Sequence, residues 1–200
     1  TGVNNTVTGA FSLYANTTGT GNTAVGKNVL SVNTTGSSNV GIGNYALNSN
    51  ISGDNNVAVG LNALTKNTQD NNTAIGHDAM KENTSGGGNT AVGNMSMSSN
   101  TTGAANSAFG KEALYSSTTG MRNTAIGYSA MGAFTTGNNN VVIGYEAGDD
   151  MTSAGGSVLI GYEAGSKLTT SGEGVFIGEY AGQNSTNGTN VLIGARAGRG

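Results

Sequence analysis

Large apolar residues fall along this chain at fixed distances from a recurring glycine. The phrase Asn-Thr-Ala-Ile-Gly (72–76) returns as Asn-Thr-Ala-Val-Gly (89–93) and as Asn-Ser-Ala-Phe-Gly (106–110). With the closing Gly as anchor, the copies sit at Gly9, Gly26, Gly43, Gly60, Gly76, Gly93, Gly110, Gly127, Gly144, Gly161, Gly178 and Gly194. Successive anchors lie 17 residues apart, apart from two steps of 16. The copies leave no room for a linker, so the spacing predicts one continuous repeat domain over 1–200.

One residue before the anchor stands a large apolar side chain: Val25, Ile42, Val59, Ile75, Val92, Phe109, Ile126, Ile143, Ile160, Ile177 and Ile193. Three residues before it is Thr, Val or once Ser, and three after it is mostly Ala, as at Ala46, Ala63, Ala79, Ala113 and Ala130. These rows are expected to form the structural core ladder.

Two residues before the anchor a side chain points to the other strand face. That position is small in Ala24, Gly41, Ala58, Ala74, Ala91, Ala108 and Ala125, then large in Val142, Leu159, Phe176 and Leu192. Four residues after the anchor the order reverses, from Leu30, Leu47, Leu64, Met80, Met97, Leu114 and Met131 to Gly148, Gly165, Gly182 and Gly198. Volume compensation of this kind implies one shared packed space. A thin coil has one interior, so the large residues of this pair are expected to form an inter-chain seam between identical chains. The alternative is a wider coil that wraps both stripes inside one chain.

A 17-residue period is too short for a helical hairpin repeat, which needs roughly 33 residues. Frequent Gly, Asn and Thr also disfavour a helix. Each copy offers two candidate strands, such as 22–25 and 29–34, separated by the anchor and by a Thr-Thr-Gly corner as at Thr34-Thr35-Gly36. Gly suits such corners because it adopts positive φ without steric cost. The expected fold is an all-β parallel β-solenoid, or β-roll, with coils stacked at the strand spacing into a rod on the order of 57 Å long. Asn22, Asn39, Asn56, Asn72, Asn89, Asn106, Asn123 and Asn140 are then stacked as an Asn ladder, bonding to one another and to turn backbone.

Composition narrows the function. Charged residues make up 10% of the chain and the net charge is −3, so no basic footprint for nucleic acid exists. No apolar run approaches the ~18 residues of a membrane span, so no membrane insertion is expected. With no Cys, disulfides and thiolate metal sites are excluded. The single His, His77, occupies a freely varying position and reads as an exposed side chain. The pair Asp149-Asp150 lacks the Gly- and Asp-rich calcium nonapeptide, and Gly86-Gly87-Gly88 lacks the Lys-Ser/Thr and helix of a phosphate loop. Asn-x-Ser/Thr triplets such as 33–35 follow from the composition. Tyr128, Tyr145 and Tyr162 form a ladder beside the anchors, read as edge cover in preference to a sugar platform. No catalytic, cofactor-binding or metal-binding residue emerges, and no cofactor is expected.

The phrases Asn-Val-Ala-Val-Gly-Leu-Asn-Ala-Leu (56–64), Asn-Thr-Ala-Ile-Gly-Tyr-Ser-Ala-Met (123–131) and Asn-Val-Val-Ile-Gly-Tyr-Glu-Ala-Gly (140–148) resemble the head repeats of trimeric autotransporter adhesins. They are similar too to the Asn-Thr-Ala-Ile-Gly-rich shafts of some bacteriophage tail fibres. The resemblance covers essentially the whole chain. It implies a left-handed roll, a homotrimer, and an extracellular, cell-surface or virion fibre that presents a surface for attachment. Adhesin head coils are a few residues shorter, and the Thr-Thr-Gly corner is closer to the fibre type. The resemblance supplies no catalytic residue.

The leading expectation is therefore a non-enzymatic fibre or adhesin segment whose partners are identical chains. A host-surface glycan or protein would be met through an adjoining tip, consistent with the want of a capping coil after Ala195-Arg196-Ala197-Gly198. The alternative is an ice-binding β-solenoid using Thr rows such as Thr34-Thr35, Thr101-Thr102, Thr118-Thr119 and Thr135-Thr136. A β-helical enzyme ranks third, for want of a wide coil and a charged cleft.

Overall fold

The three residues before each anchor form a strand, and nothing else among the described residues does. In the computed structural model, which describes residues 2–170, 172–186 and 188–199, the strands run from β1 (Thr6–Thr8), β2 (Thr23–Val25) and β3 (Val40–Ile42) to β11 (Val175–Ile177) and β12 (Val191–Ile193). All twelve join one parallel sheet in chain order. Register is in phase throughout, with Thr23 beside Val40, Ala24 beside Gly41 and Val25 beside Ile42. The protein is an all-β parallel β-solenoid with a coil about every 17 residues.

Hydrogen bonds leave each coil in both directions. The Thr23 N–H donates to the Asn39 carbonyl of the next coil, and the Gly26 N–H donates to the Thr8 carbonyl of the previous one, each at 2.8 Å. The anchor must be Gly because coils touch backbone to backbone there. A Cβ on Gly178 would stand 2.5 Å from the Gly194 carbonyl oxygen, where φ is also +133°.

The expected second strand is absent. The stretch after the anchor is a chain of turns, closed by bonds such as Asn33 N–H to the Leu30 carbonyl (3.1 Å). Asn28 and Leu30 both lie in the left-handed region, at φ 57° and 50°. The geometry recurs at Leu47, Leu64, Met80, Met97, Leu114 and Met131. Holding a branched or long side chain there costs about 1–2 kcal/mol. Burying it fully returns roughly 1.5–3 kcal/mol, so burial wins by a narrow margin.

Two assignments read from the pattern are reversed. The residues expected at an inter-chain seam, Leu30, Leu47, Leu64, Met80, Met97, Leu114, Met131, Val142, Leu159 and Phe176, are all fully buried inside the single chain. Leu192, in the last coil, packs partly buried against the same core. The row expected to be the core ladder faces outward: Ile42 and Ile75 are 40% exposed, Val25, Phe109 and Ile126 are similar, and Ile193 is more so. Val59, Val92, Ile143, Ile160 and Ile177 are half-buried on that face. The physical reason is the thinness of the coil. The strand residue that points inward meets the turn residue four after the anchor, so one of the two has to be small. The exchange of bulk reports this internal contact, with Phe176 packed over Gly165 and Gly182, and Leu159 over Gly148 and Gly165.

Two columns of asparagine hold the far side of the coil. Asn39 accepts at its Oδ1 from the Asn56 backbone N–H (2.9 Å) and donates its own backbone N–H to Asn22 Oδ1 (3.0 Å). The same arrangement runs from Asn22 to Asn140, whose Oδ1 accepts from the Ser157 N–H at 2.9 Å. A second column, Asn33, Asn50, Asn67, Asn83 and Asn100, lies beside it and is just as buried. Both columns converge on one acceptor per coil. The Gly36 carbonyl, for example, receives Asn22 Nδ2 and Asn33 Nδ2, each at 2.9 Å. Buried amides need such partners, because an unpaired one costs about 1–3 kcal/mol. In later coils Phe134, Met151 and Leu168 replace the second column with apolar bulk.

Candidate functional site

The outward strand face is the feature that asks for a partner. Its central row runs from Val25 to Ile193, and a second row, Thr23, Val40, Val57, Thr73, Thr90, Ser107, Thr124, Val141, Val158, Val175 and Val191, runs parallel to it. Neither row contains a charge. Side chains in adjacent coils are in register at the strand spacing of about 4.8 Å, so the face is flat, long and mostly aliphatic.

Along the edge after the anchors runs the tyrosine column. The rings of Tyr128 and Tyr145 are stacked at 5.2 Å and 16°, and those of Tyr145 and Tyr162 at 5.2 Å and 5°. Tyr180 meets Tyr162 edge-on, and Lys111 stands over Tyr128 at 5.4 Å. Each inner ring thus covers its neighbour's face and shows only an edge to solvent. A sugar that stacks needs a free face; the column gives edge cover, and Arg199 closes the Tyr180 end at 4.5 Å. Hydrogen bonds to adjacent carboxylates raise both inner phenols, Tyr145 through Glu146 and Tyr162 through Glu163, the latter to about 12.

His77 and the triple glycine stand apart from both features. His77 is exposed at the surface, 3.7 Å from the Asp78 carboxylate. Among the described residues no group of three or more His, Asp or Glu could hold a metal ion. Gly86 directs its carbonyl inward to Asn72 and Asn83, so the triple glycine offers a phosphate no nest of N–H groups. The first Thr of each corner donates its hydroxyl to the next coil, as Thr101 Oγ1 does to the Thr118 carbonyl (3.0 Å) and Thr135 Oγ1 to Thr152 (2.8 Å). Those hydroxyl protons tie one coil to the next. No described helix is long and apolar enough to cross a membrane.

Sequence reasoning missed the second asparagine column, although its members all stand seven residues after an anchor. It also missed a notch beside Gly132, described below. No protein family, curated protein or solved structure matches the chain.

Proposed function

We propose that this chain is a non-enzymatic structural segment of an extracellular fibre or adhesin, assembled with identical chains, as a homotrimer, through its outward strand face. The observation that carries the reading is the uncharged apolar row from Val25 to Ile193. Val25, Ile42, Ile75, Phe109, Ile126 and Ile193 are each more than a third exposed, and they lie in register along one face. A monomer rarely exposes a patch above a few hundred Å², and larger ones mark interaction sites. Symmetric packing of equal rods suits the face, because the coil period is the same in every copy and matching rows meet along the whole length. Internal uniformity favours stiffness and reach over selective recognition. Analytical ultracentrifugation of the recombinant segment tests this: three-chain particles are expected, and a stable monomer at micromolar concentration overturns it.

The same face supports a second reading. Thr23, Thr73, Thr90 and Thr124 stand beside aliphatic residues on a flat, regular surface, an arrangement able to order water. Thermal hysteresis separates the two, since an ice binder lowers the freezing point as a monomer and a fibre segment does not.

A further inference from the structure

At four places along the edge after the anchors a contact joins neighbouring coils. There the side chain five residues after an anchor meets the residue twenty positions earlier, which stands two after the preceding anchor. Asn48 Nδ2 donates to the Asn28 carbonyl (3.0 Å), Thr65 Oγ1 to the Tyr45 carbonyl (3.3 Å), and Gln183 Nε2 to Glu163 Oε2 (2.5 Å). Asp149 completes the pattern by accepting from Ser129 Oγ at 2.8 Å. At Gly132 the rung is missing. The residue twenty positions earlier is Glu112, and no side chain reaches it from that position.

The missing rung leaves a half-open cavity of about 470 Å³. Gly132 forms its floor, Tyr115 and Met95 give it an apolar wall, and Glu112, Ser129 and Asp149 line its polar side. Gly132 keeps it open, because a Cβ there would collide with Asp149 Oδ1 and come within 2.6 Å of Ser129 Oγ. Three coils further on, the equivalent carboxylate of Glu163 is met by an amide N–H, so the edge itself shows the group that belongs at such a place: a nitrogen donor. Lys111 touches Glu112 at 3.3 Å but lies outside the cavity, and leaves Asp149 without a cation. Asp149 is held above its usual range, first by loss of water and then by the charges of Glu146 and Asp150. An arriving cation opposes both by favouring the ionised carboxylate.

We propose that this notch binds a primary alkylammonium group, with Glu112 and Asp149 accepting its N–H bonds and Tyr115 and Met95 covering its carbon stem. Charge-assisted bonds to two carboxylates supply the attraction, and a neighbouring aromatic ring adds a cation–π component. A lysine side chain of a partner protein and an amino sugar both offer the chemistry. The notch lies on the edge, away from the strand face, so side-by-side assembly leaves it open.

Chemical-shift titration of the intact segment tests the proposal, using Nα-acetyl-lysine methylamide, glucosamine and methyl glucoside in parallel. The lysine derivative is expected to move the amide signals of Glu112, Ser129 and Asp149 in saturable fashion. Glu112→Gln and Asp149→Asn should each weaken binding at least tenfold. Gly132→Gln supplies the absent rung and should abolish binding; its Cβ pushes the Asp149 carboxylate and the Ser129 hydroxyl aside, so a lowered denaturation midpoint is expected with the β-type circular dichroism retained. Stronger shifts with glucosamine assign the amine to a sugar. Equal shifts with methyl glucoside, shifts spread over all acidic coils, no saturable shift with either amine, or unchanged binding in Gly132→Gln would overturn it.

Discussion

The ring of Phe176 lies directly on Gly182: a Cβ added to that glycine would meet the ring at 2.7 Å, with φ already at +60°. The pair is the reverse of Ala125 and Met131, where the turn residue is large and the strand residue small. Gly182→Ala should destabilise the fold by roughly 2 kcal/mol through overpacking and backbone strain. Phe176→Ala should cost about 3–5 kcal/mol by opening a cavity. Combining Phe176→Ala with Gly182→Leu installs the arrangement of the earlier coils and should recover more than half of that loss. Urea denaturation of the three variants reads this out, and an additive double variant would refute the shared space.

Neighbouring strand residues should respond oppositely to charge. Ala74 is fully buried and Ile75 is 40% exposed. Ala74→Glu forces an unpaired carboxylate into the core and should prevent folding, a loss above about 4 kcal/mol. Ile75→Glu should keep the β-type circular dichroism spectrum and disrupt assembly between chains. Dichroism and sedimentation on both variants distinguish the outcomes; an Ile75→Glu protein that assembles normally would move the interface elsewhere.

The Asn89 side chain carries three bonds: its Oδ1 accepts from the Asn106 N–H (3.0 Å) and Nδ2 (3.2 Å), and its Nδ2 donates to the Gly103 carbonyl (2.8 Å). Asn89→Ala strands buried donors on Asn106 and should cost roughly 2–3 kcal/mol. Amide exchange at Asn106 should accelerate far more than at Asn56, three coils away. Equal acceleration at both would show that the column transmits no local support.

Tyr162 should titrate late. Its phenol is raised to about 12 by the hydrogen bond to Glu163, whereas an unfolded tyrosine titrates near 10. Its contribution to stability is therefore complete below about pH 10 and is lost as pH rises towards 12. Glu163→Gln should bring the phenolate absorbance of this ring back towards the ordinary range. An unchanged alkaline titration curve would show that Glu163 is not the cause.

How much of this was legible in the sequence differs by feature. The period, the parallel stack and the first asparagine column follow from anchor spacing alone. Inside and outside do not, because size alone points Ile42 and Ile75 to the core, whereas both are 40% exposed. The small residues Ala24, Gly41 and Ala58 carried the better signal, since a coil only two layers deep can admit little bulk from its strand. The exchange between Met131 and Leu159 was read correctly as a shared space and placed wrongly between chains. The left-handed turns at Leu30 and Leu47 were illegible, because Leu avoids that conformation unless burial compels it. Gly132 went unnoticed because a missing side chain leaves no motif.

The backbone bonds of the stack recur at the same offsets from coil to coil, as Thr23 N–H to the Asn39 carbonyl and Thr90 N–H to the Asn106 carbonyl do. Excising one whole period, or inserting another, between coils of like interior would therefore let the flanking turns reconnect with their backbone partners restored. Reach is thus a quantity this architecture can change by recombination, in increments of a single winding, without designing a new interior.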